Sequence, residues 1–210
     1  MAFLKELASK SAKLQENEVT HSAVATEESK EQQKEKYQSP VKKCPRCETD
    51  ILEFEFESHL TNHASEILPW LYLGAQRNAC NLKELKERIQ ITHILNCAIE
   101  VECYFPNDFV YKKLDLDDVK TENITDLVDD ALQFIVKCKD SEKKGKILVH
   151  CAQGISRSSS IVIAYLIKHE KLTYEKALSH VKSIRRIAQP NSGFEEQLRK
   201  LEKTWISPTI

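Results

Sequence analysis

The sequence predicts an α/β fold, and three observations carry that expectation. Short apolar segments that read as strands alternate along the chain with segments of helical periodicity. One of them, Ile147-Leu148-Val149, is wholly apolar, the pattern of a strand buried inside a sheet. The stretch after it, Ser158 to His169, is apolar nearly all round, as a helix at the centre of a domain is.

Each element follows in order. Residues 1–14 carry Phe3, Leu4, Leu7 and Leu14 at loose helical spacing, and residues 15–40 are dominated by Glu, Lys, Gln and Ser. Such a composition buries too little apolar surface to offset chain entropy. Residues 1–40 are therefore expected to be a charged, flexible or partly helical segment. Residues 41–64 hold a cluster of Cys and His, and the texture becomes globular over residues 67–205. Tyr72-Leu73 and Ile94-Leu95-Asn96 read as strands, with a helical stretch from Lys83 to Ile89 between them. Val110 to Leu116 alternates apolar and polar, which suits a strand. Ile124, Leu127, Val128, Ala131, Leu132 and Ile135 form one buried helical stripe. Thr173 to Ile184 is amphipathic, and Ser192-Gly193-Phe194-Glu195 has capping-box spacing that opens a last helix.

The chain has 210 residues, enough for one core of ordinary size and something small beside it. A net charge of −1 gives no global attraction to nucleic acid or to a membrane surface, so any phosphate affinity must be local. No apolar run reaches the roughly 20 residues needed to span a bilayer, and Met1 to Lys13 lacks the apolar stretch of a signal peptide. Seven cysteines, an odd number in no regular framework, point to free thiols and a reducing compartment, cytoplasmic or nuclear.

The chemistry concentrates between the strand ending at Val149 and the helix starting near Ser158. Residues 150–158 read His-Cys-Ala-Gln-Gly-Ile-Ser-Arg-Ser, with the spacing C-x5-R from Cys151 to Arg157. A short loop entering a helix N-terminus makes a cradle of backbone N–H groups that favours an anion. Gly154 permits the turn. A cysteine at the floor of that cradle is favoured as thiolate, and the planar fork of Arg157 matches two oxygens of a phosphoryl group. The leaving oxygen needs a proton donor, for which Asp115, Asp117 and Asp118 are at hand. If Leu114 and Leu116 face the core, Asp118 follows on their side while Asp115 and Asp117 face away. His150 reads either as a core histidine or, beside Cys151, as one that fixes the loop by hydrogen bonds, and the second is the expectation. The bland reading of Ser156 and Ser158 is as caps of the helix. Cys97 and Cys138 read as small buried hydrophobes.

These residues resemble the dual-specificity subgroup of protein tyrosine phosphatases, in particular its small atypical members. The resemblance begins at Ile67-Leu68-Pro69-Trp70-Leu71-Tyr72-Leu73-Gly74 and continues through Ile91 to Ala98 and Leu114-x-Leu116-x-Asp118. After His150 to Ser158 it runs through Ala164-Tyr165-Leu166-Ile167 to Gln189-Pro190-Asn191-Ser192-Gly193-Phe194 and Gln197-Leu198. It implies a central, mostly parallel sheet flanked by helices and a phosphocysteine intermediate on Cys151. It also implies that the backbone of Ala152, Gln153, Gly154, Ile155, Ser156 and Arg157, with the Arg157 side chain, holds the phosphoryl oxygens. Asp118 would be general acid and then base, and Ser158 would assist breakdown of the intermediate. Catalysis would need no metal. The implied substrates are proteins phosphorylated on tyrosine, serine or threonine. RNA 5′-phosphate or lipid phosphate, or a phosphoprotein-binding adaptor with little turnover, are the alternatives.

A second constellation precedes this domain. Cys44 and Cys47 are spaced C-x2-C, His59 and His63 H-x3-H, and the four make a closed tetrahedral set for structural Zn²⁺. Ile51, Phe54, Phe56 and Leu60 would supply a minimal core, and a helix over Glu53 to His63 would put both histidines on one face. The start Cys44-Pro45-Arg46-Cys47 resembles the small ubiquitin-binding zinc fingers of DNA-repair proteins. Where those carry a ubiquitin-contacting Asp this chain has Thr61, which counts against ubiquitin and leaves docking to a protein as the expectation. No Lys/Arg-rich helix face suited to reading DNA is present, so no nucleic-acid binding is expected.

Overall fold

A computed structural model describes residues 40–142 and 144–206. The expected N-terminal helix or linker thus lies outside the described residues.

One compact unit, over its described residues, comprises Cys44–Glu48 and the chain from Glu57 to Ile206. Its sheet has five strands: β3 (Ser65–Leu68), β4 (Leu71–Ala75), β5 (His93–Asn96), β6 (Val110–Lys113) and β7 (Ile147–Cys151). The strand order is β3-β4-β7-β5-β6, antiparallel only between β3 and β4. β7 is the central strand and is buried throughout, as its unbroken apolar run predicts. Its register aligns Leu71 with Ile147 and Ala75 with Cys151 on one side, and Asn96 with His150 on the other.

The side-chain period of two sends alternate residues of β7 to two cores. Ile147, Val149 and Cys151 join the larger core with α3 (Thr125–Lys139), α4 (Arg157–Lys168), α5 (Tyr174–Ile184) and α6 (Ser192–Ile206). Leu148 faces the smaller core with Ala79, Leu85, Ile89, Ile94 and Phe109. That face is covered by α2 (Gln76–Ala79) and by a π-helical segment, Glu84–Arg88, where the sequence reads as an ordinary helix. Every residue of α4 from Arg157 to Ile167 is buried, which accounts for its all-round apolar character.

Two further elements of this unit differ from expectation. The β6 strand stops at Lys113, but Leu114 still donates its N–H to Asn96 O at 2.8 Å, and Leu114 and Leu116 stay buried, so the in–out alternation outlasts the strand. The cap of α6 is Asn191, whose Oδ1 accepts the N–H groups of Gly193 and Phe194 at 3.0 Å each, rather than Ser192.

The other unit, over its described residues, is Pro40–Lys43 and Thr49–Phe56. It contains the antiparallel hairpin of β1 (Val41–Lys43) and β2 (Asp50–Leu52) and a 3₁₀ turn at Glu53–Glu55. The expected minimal core is not there: Phe54 is 72% exposed, and Ile51, Phe56 and Leu60 are only half-buried. The expected helix over Glu53 to His63 shortens to α1 (Phe56–Leu60). Beyond it the N–H groups of Thr61, Asn62 and His63 bond back three residues, which tightens the chain into turns.

Candidate active site

Each carbonyl of the loop after β7 has an outside partner. Ala152 O accepts the N–H of Gln76 at 3.1 Å, and Ile155 O accepts that of Gln189 at 2.7 Å. Between them, Arg185 donates from Nη2 to Gln153 O at 2.9 Å and from Nε to Gly154 O at 2.7 Å. A trans peptide puts its C=O and the following N–H on opposite sides. Tying these carbonyls outward therefore turns the amides of Gln153, Gly154, Ile155 and Ser156 toward the cavity. Gly154 is the hinge of this turn: its φ is +68°, and a β-carbon there would lie 2.4 Å from Gly74 O.

Cys151 is at the floor of the cavity. Its Sγ accepts the N–H of Gly154 and the Oγ–H of Ser158, both at 3.2 Å. The sulfur thus sits under the first turn of α4, where backbone donors favour negative charge. The cavity, about 370 Å³, is lined by Glu100, Asp118, Cys151 and, from the loop, Ala152, Gln153, Ile155, Ser156 and Arg157. A neighbouring cleft of about 560 Å³ shares Ala152, Gln153 and Ile155 and extends past Arg77, Cys80 and Ile187.

Arg157 is buried at the cavity edge. Nη1 and Nη2 each donate to one oxygen of Glu100 at 2.6 Å, and Nη1 also donates to Leu116 O at 3.1 Å. The bond from Arg157 holds the Glu100 carboxyl below its ordinary pKa. Asp118 Oδ2 lies 3.6 Å from Arg157 Nε. Its Oδ1 accepts from Ser156 Oγ at 2.6 Å and from Asn191 Nδ2 at 3.0 Å. Asp118, itself exposed, therefore faces the loop; Asp115 and Asp117 are exposed on the phase opposite to the buried Leu114 and Leu116. Ser156 and Ser158 do not cap α4 with their side chains; they bond Asp118 and Cys151 instead.

His150 departs from expectation. It is fully buried, yet neither ring nitrogen has a hydrogen-bond partner among the described residues. Burial pushes its pKa down to about 4, so the ring is neutral near pH 7. Cys97 and Cys138 are fully buried, and burial raises both thiols, Cys138 to about 11.

Three residues of this site escaped the sequence reading. Arg185 is buried beneath the loop, and burial brings its pKa down to about 10. Asn191 and Glu100 are the others. The motif containing Asn191 was visible, but its contact with Asp118 spans 73 residues. Nothing local marks Arg185 or Glu100, whose partners are 31 and 57 residues away.

Cys44, Cys47, His59 and His63 come together, with ligand atoms within 4.8 Å of one another. Cys44 Sγ is 3.5 Å from His63 Nε2, Cys47 Sγ 3.2 Å from His59 Nε2, and the two Nε2 atoms are 3.3 Å apart. A tetrahedral zinc with ordinary bond lengths sets nitrogens about 3.4 Å apart and nitrogen and sulfur about 3.6 Å apart. The donor set and these three edges fit that ion.

Residues 71–204 match the profile described as dual specificity phosphatase, catalytic domain. The chain is 39% identical over 170 residues to dual specificity protein phosphatase 1 of Arabidopsis thaliana, covering 81% of this chain and 84% of that protein. It is 42% identical over 135 residues to a Slingshot homolog protein phosphatase of Xenopus laevis, covering 64% of this chain but only 19% of that protein's length. Among solved structures, the human tyrosine phosphatase-like serine/threonine/tyrosine-interacting protein superposes with a TM-score of 0.63 at 34% identity, covering 70% of this chain and 99% of that one.

Proposed function

This chain belongs to the dual specificity phosphatase family, and on that premise we propose that it is a protein phosphatase acting through a phosphocysteine on Cys151. Its substrates are proteins carrying phosphotyrosine and phosphoserine or phosphothreonine. The observation that carries this reading is the Cys151 sulfur beneath α4, hydrogen-bonded by Gly154 N–H and Ser158 Oγ–H, with Arg157 and Asp118 at the same cavity.

The thiolate attacks phosphorus, and the bond to the leaving oxygen breaks as Asp118 gives that oxygen a proton. Loop amides and the Arg157 fork hold the three non-bridging oxygens as charge develops on them. Water then attacks the phosphocysteine and loses its proton to Asp118. The S–P bond breaks with the electron pair returning to sulfur, where the Ser158 hydroxyl stabilises it. Inorganic phosphate leaves. All the groups used belong to the chain, and no step calls for a metal.

We propose in addition that Cys44, Cys47, His59 and His63 hold a structural Zn²⁺, supported by their spacing and closed donor geometry. Free thiols and metal-ligand cysteines suit a reducing compartment, cytoplasmic or nuclear. Among the described residues no helix is long and apolar enough to cross a membrane.

Hydrolysis of p-nitrophenyl phosphate and of phosphotyrosine and phosphothreonine peptides, under reducing conditions, tests the reading. Wild type turning over no faster than Cys151→Ser would overturn the enzymatic assignment. Faster release from an RNA 5′-phosphate or a phosphoinositide than from either peptide would overturn the substrate class.

A further inference from the structure

The four-residue metal cluster is not a module standing beside the catalytic domain. Its ligands lie in the same compact unit as the five-stranded sheet. His63 turns Nε2 toward the other ligands and Nδ1 toward Glu84 Oε2, 3.1 Å away. Glu84 comes from the π-helical segment that covers the smaller core, and its side chain is 4% exposed. Its carboxylate is also held by Arg88, with Nε at 2.6 Å and Nη2 on the other oxygen. Two thiolates, one carboxylate and one guanidinium leave a net of two negative charges, which a divalent cation cancels.

A second set of bonds leads from the ligand turn to the nucleophile loop. Asn78 is fully buried, and its Nδ2 donates to the carbonyls of Asn62 at 2.9 Å and Thr61 at 3.3 Å, both between the two histidine ligands. Its Oδ1 accepts the N–H of Ala75 at 2.7 Å. Ala75 is in register with Cys151, and the next amide, Gln76, bonds Ala152 O. Gly74 meanwhile packs so tightly on Gly154 that no β-carbon fits between them.

We propose that Glu84 is the outer partner of the bound metal, orienting His63 as a ligand, and that the metal is thereby a structural member of the catalytic domain. Loading it braces the end of β4 and the start of α2, the shoulder on which the nucleophile loop is built. This rests on the zinc reading above. Outer carboxylates of this kind fix the histidine tautomer and raise its basicity, and their loss typically weakens metal binding by about 10–100-fold. Binding only to the folded state must also raise the stability of whatever unit the site belongs to.

The test uses the full chain and its two tryptophans. Trp70 packs edge-on to Tyr165, and Trp205 lies beside Lys168, so both report on the core around α4. Native mass spectrometry should show one zinc per chain. Removing it with a chelator should lower the tryptophan melting midpoint by about 5 °C or more. Glu84→Gln should weaken zinc binding in a chelator competition by about 10–100-fold. A chain that binds one zinc but melts at the same temperature with and without it would overturn the inference, as would undiminished affinity in Glu84→Gln. No zinc mass on wild type would instead bring down the zinc reading itself. If Glu84→Gln does not fold, the wild-type melts still decide.

Discussion

The guanidinium of Arg157 forms two parallel hydrogen bonds to the carboxylate of Glu100, each 2.6 Å long. A planar carboxylate thus holds the fork whose geometry suits two phosphoryl oxygens. The Glu100 side chain is half exposed, so the pair is worth no more than about 1 kcal/mol. Substrate must displace it. Glu100→Gln is therefore expected to lower KM for p-nitrophenyl phosphate by about 2–5-fold with kcat little changed. A raised KM would mean that Glu100 positions Arg157 rather than competing for it.

Asn191 joins two functions in one side chain. Its Oδ1 caps α6 and its Nδ2 donates to Asp118. Asn191→Ala should lower stability by about 1 kcal/mol through the lost cap. It should also reduce kcat by misplacing Asp118, the proposed proton donor, with KM nearly constant. Asn191→Asp keeps the cap acceptor but sets a like charge beside Asp118, so it should restore stability and not kcat. Recovery of kcat in Asn191→Asp would sink this assignment.

Ser158 donates to the sulfur of Cys151, the proposed nucleophile, at 3.2 Å. Hydrogen bonds to charged groups contribute about 1.5–3 kcal/mol. Losing this one should slow departure of the thiolate by about 10–100-fold. Rapid mixing of Ser158→Ala with p-nitrophenyl phosphate should then show a burst of nitrophenol followed by slow turnover, with phosphoenzyme accumulating. A slower reaction without a burst would place the effect on formation of the intermediate instead.

Burial of His150 makes stability depend on pH. Its pKa is about 4 in the fold against about 6.5 in the unfolded chain. Between those values the unfolded state binds more protons, so stability falls as pH falls. Between pH 7 and pH 5 the loss from this group is about 2 kcal/mol. His150→Leu should therefore lose less of its melting temperature over that interval than wild type, by about 4–8 °C. Equal losses in both proteins would show that His150 does not titrate as its burial implies.

Much of this protein was legible in the chain itself. The unbroken apolar run of Ile147 to Val149 and the all-round apolar Ser158 to His169 named the central strand and the central helix. Between them C-x5-R and Gly154 named the cradle, and the phase of Leu114 and Leu116 chose Asp118 over its neighbours. The spacings of Cys44, Cys47, His59 and His63 named the Cys/His cluster. These are local quantities, because periodicity and spacing act within a few residues and survive in the primary sequence.

The tertiary structure decided the rest. The C=O groups of the nucleophile loop are tied down by Gln76, Arg185 and Gln189. Asn191 rather than Ser192 caps α6, and the histidine ligands meet across a tightened turn rather than along one helix face. His150 lost its expected hydrogen bonds because the strand period turns its ring away from Cys151 toward the opposite face of the sheet. Glu84 and Asn78 became visible as supports of the metal cluster only when α2 and the π-helical segment packed against its turn. Apart from the Asn191 cap and the histidine turn, these contacts join residues far apart in the chain. A hydrogen bond or ion pair depends on angles and distances of fractions of an ångström, which local preferences do not encode and only the packed sheet and helices supply.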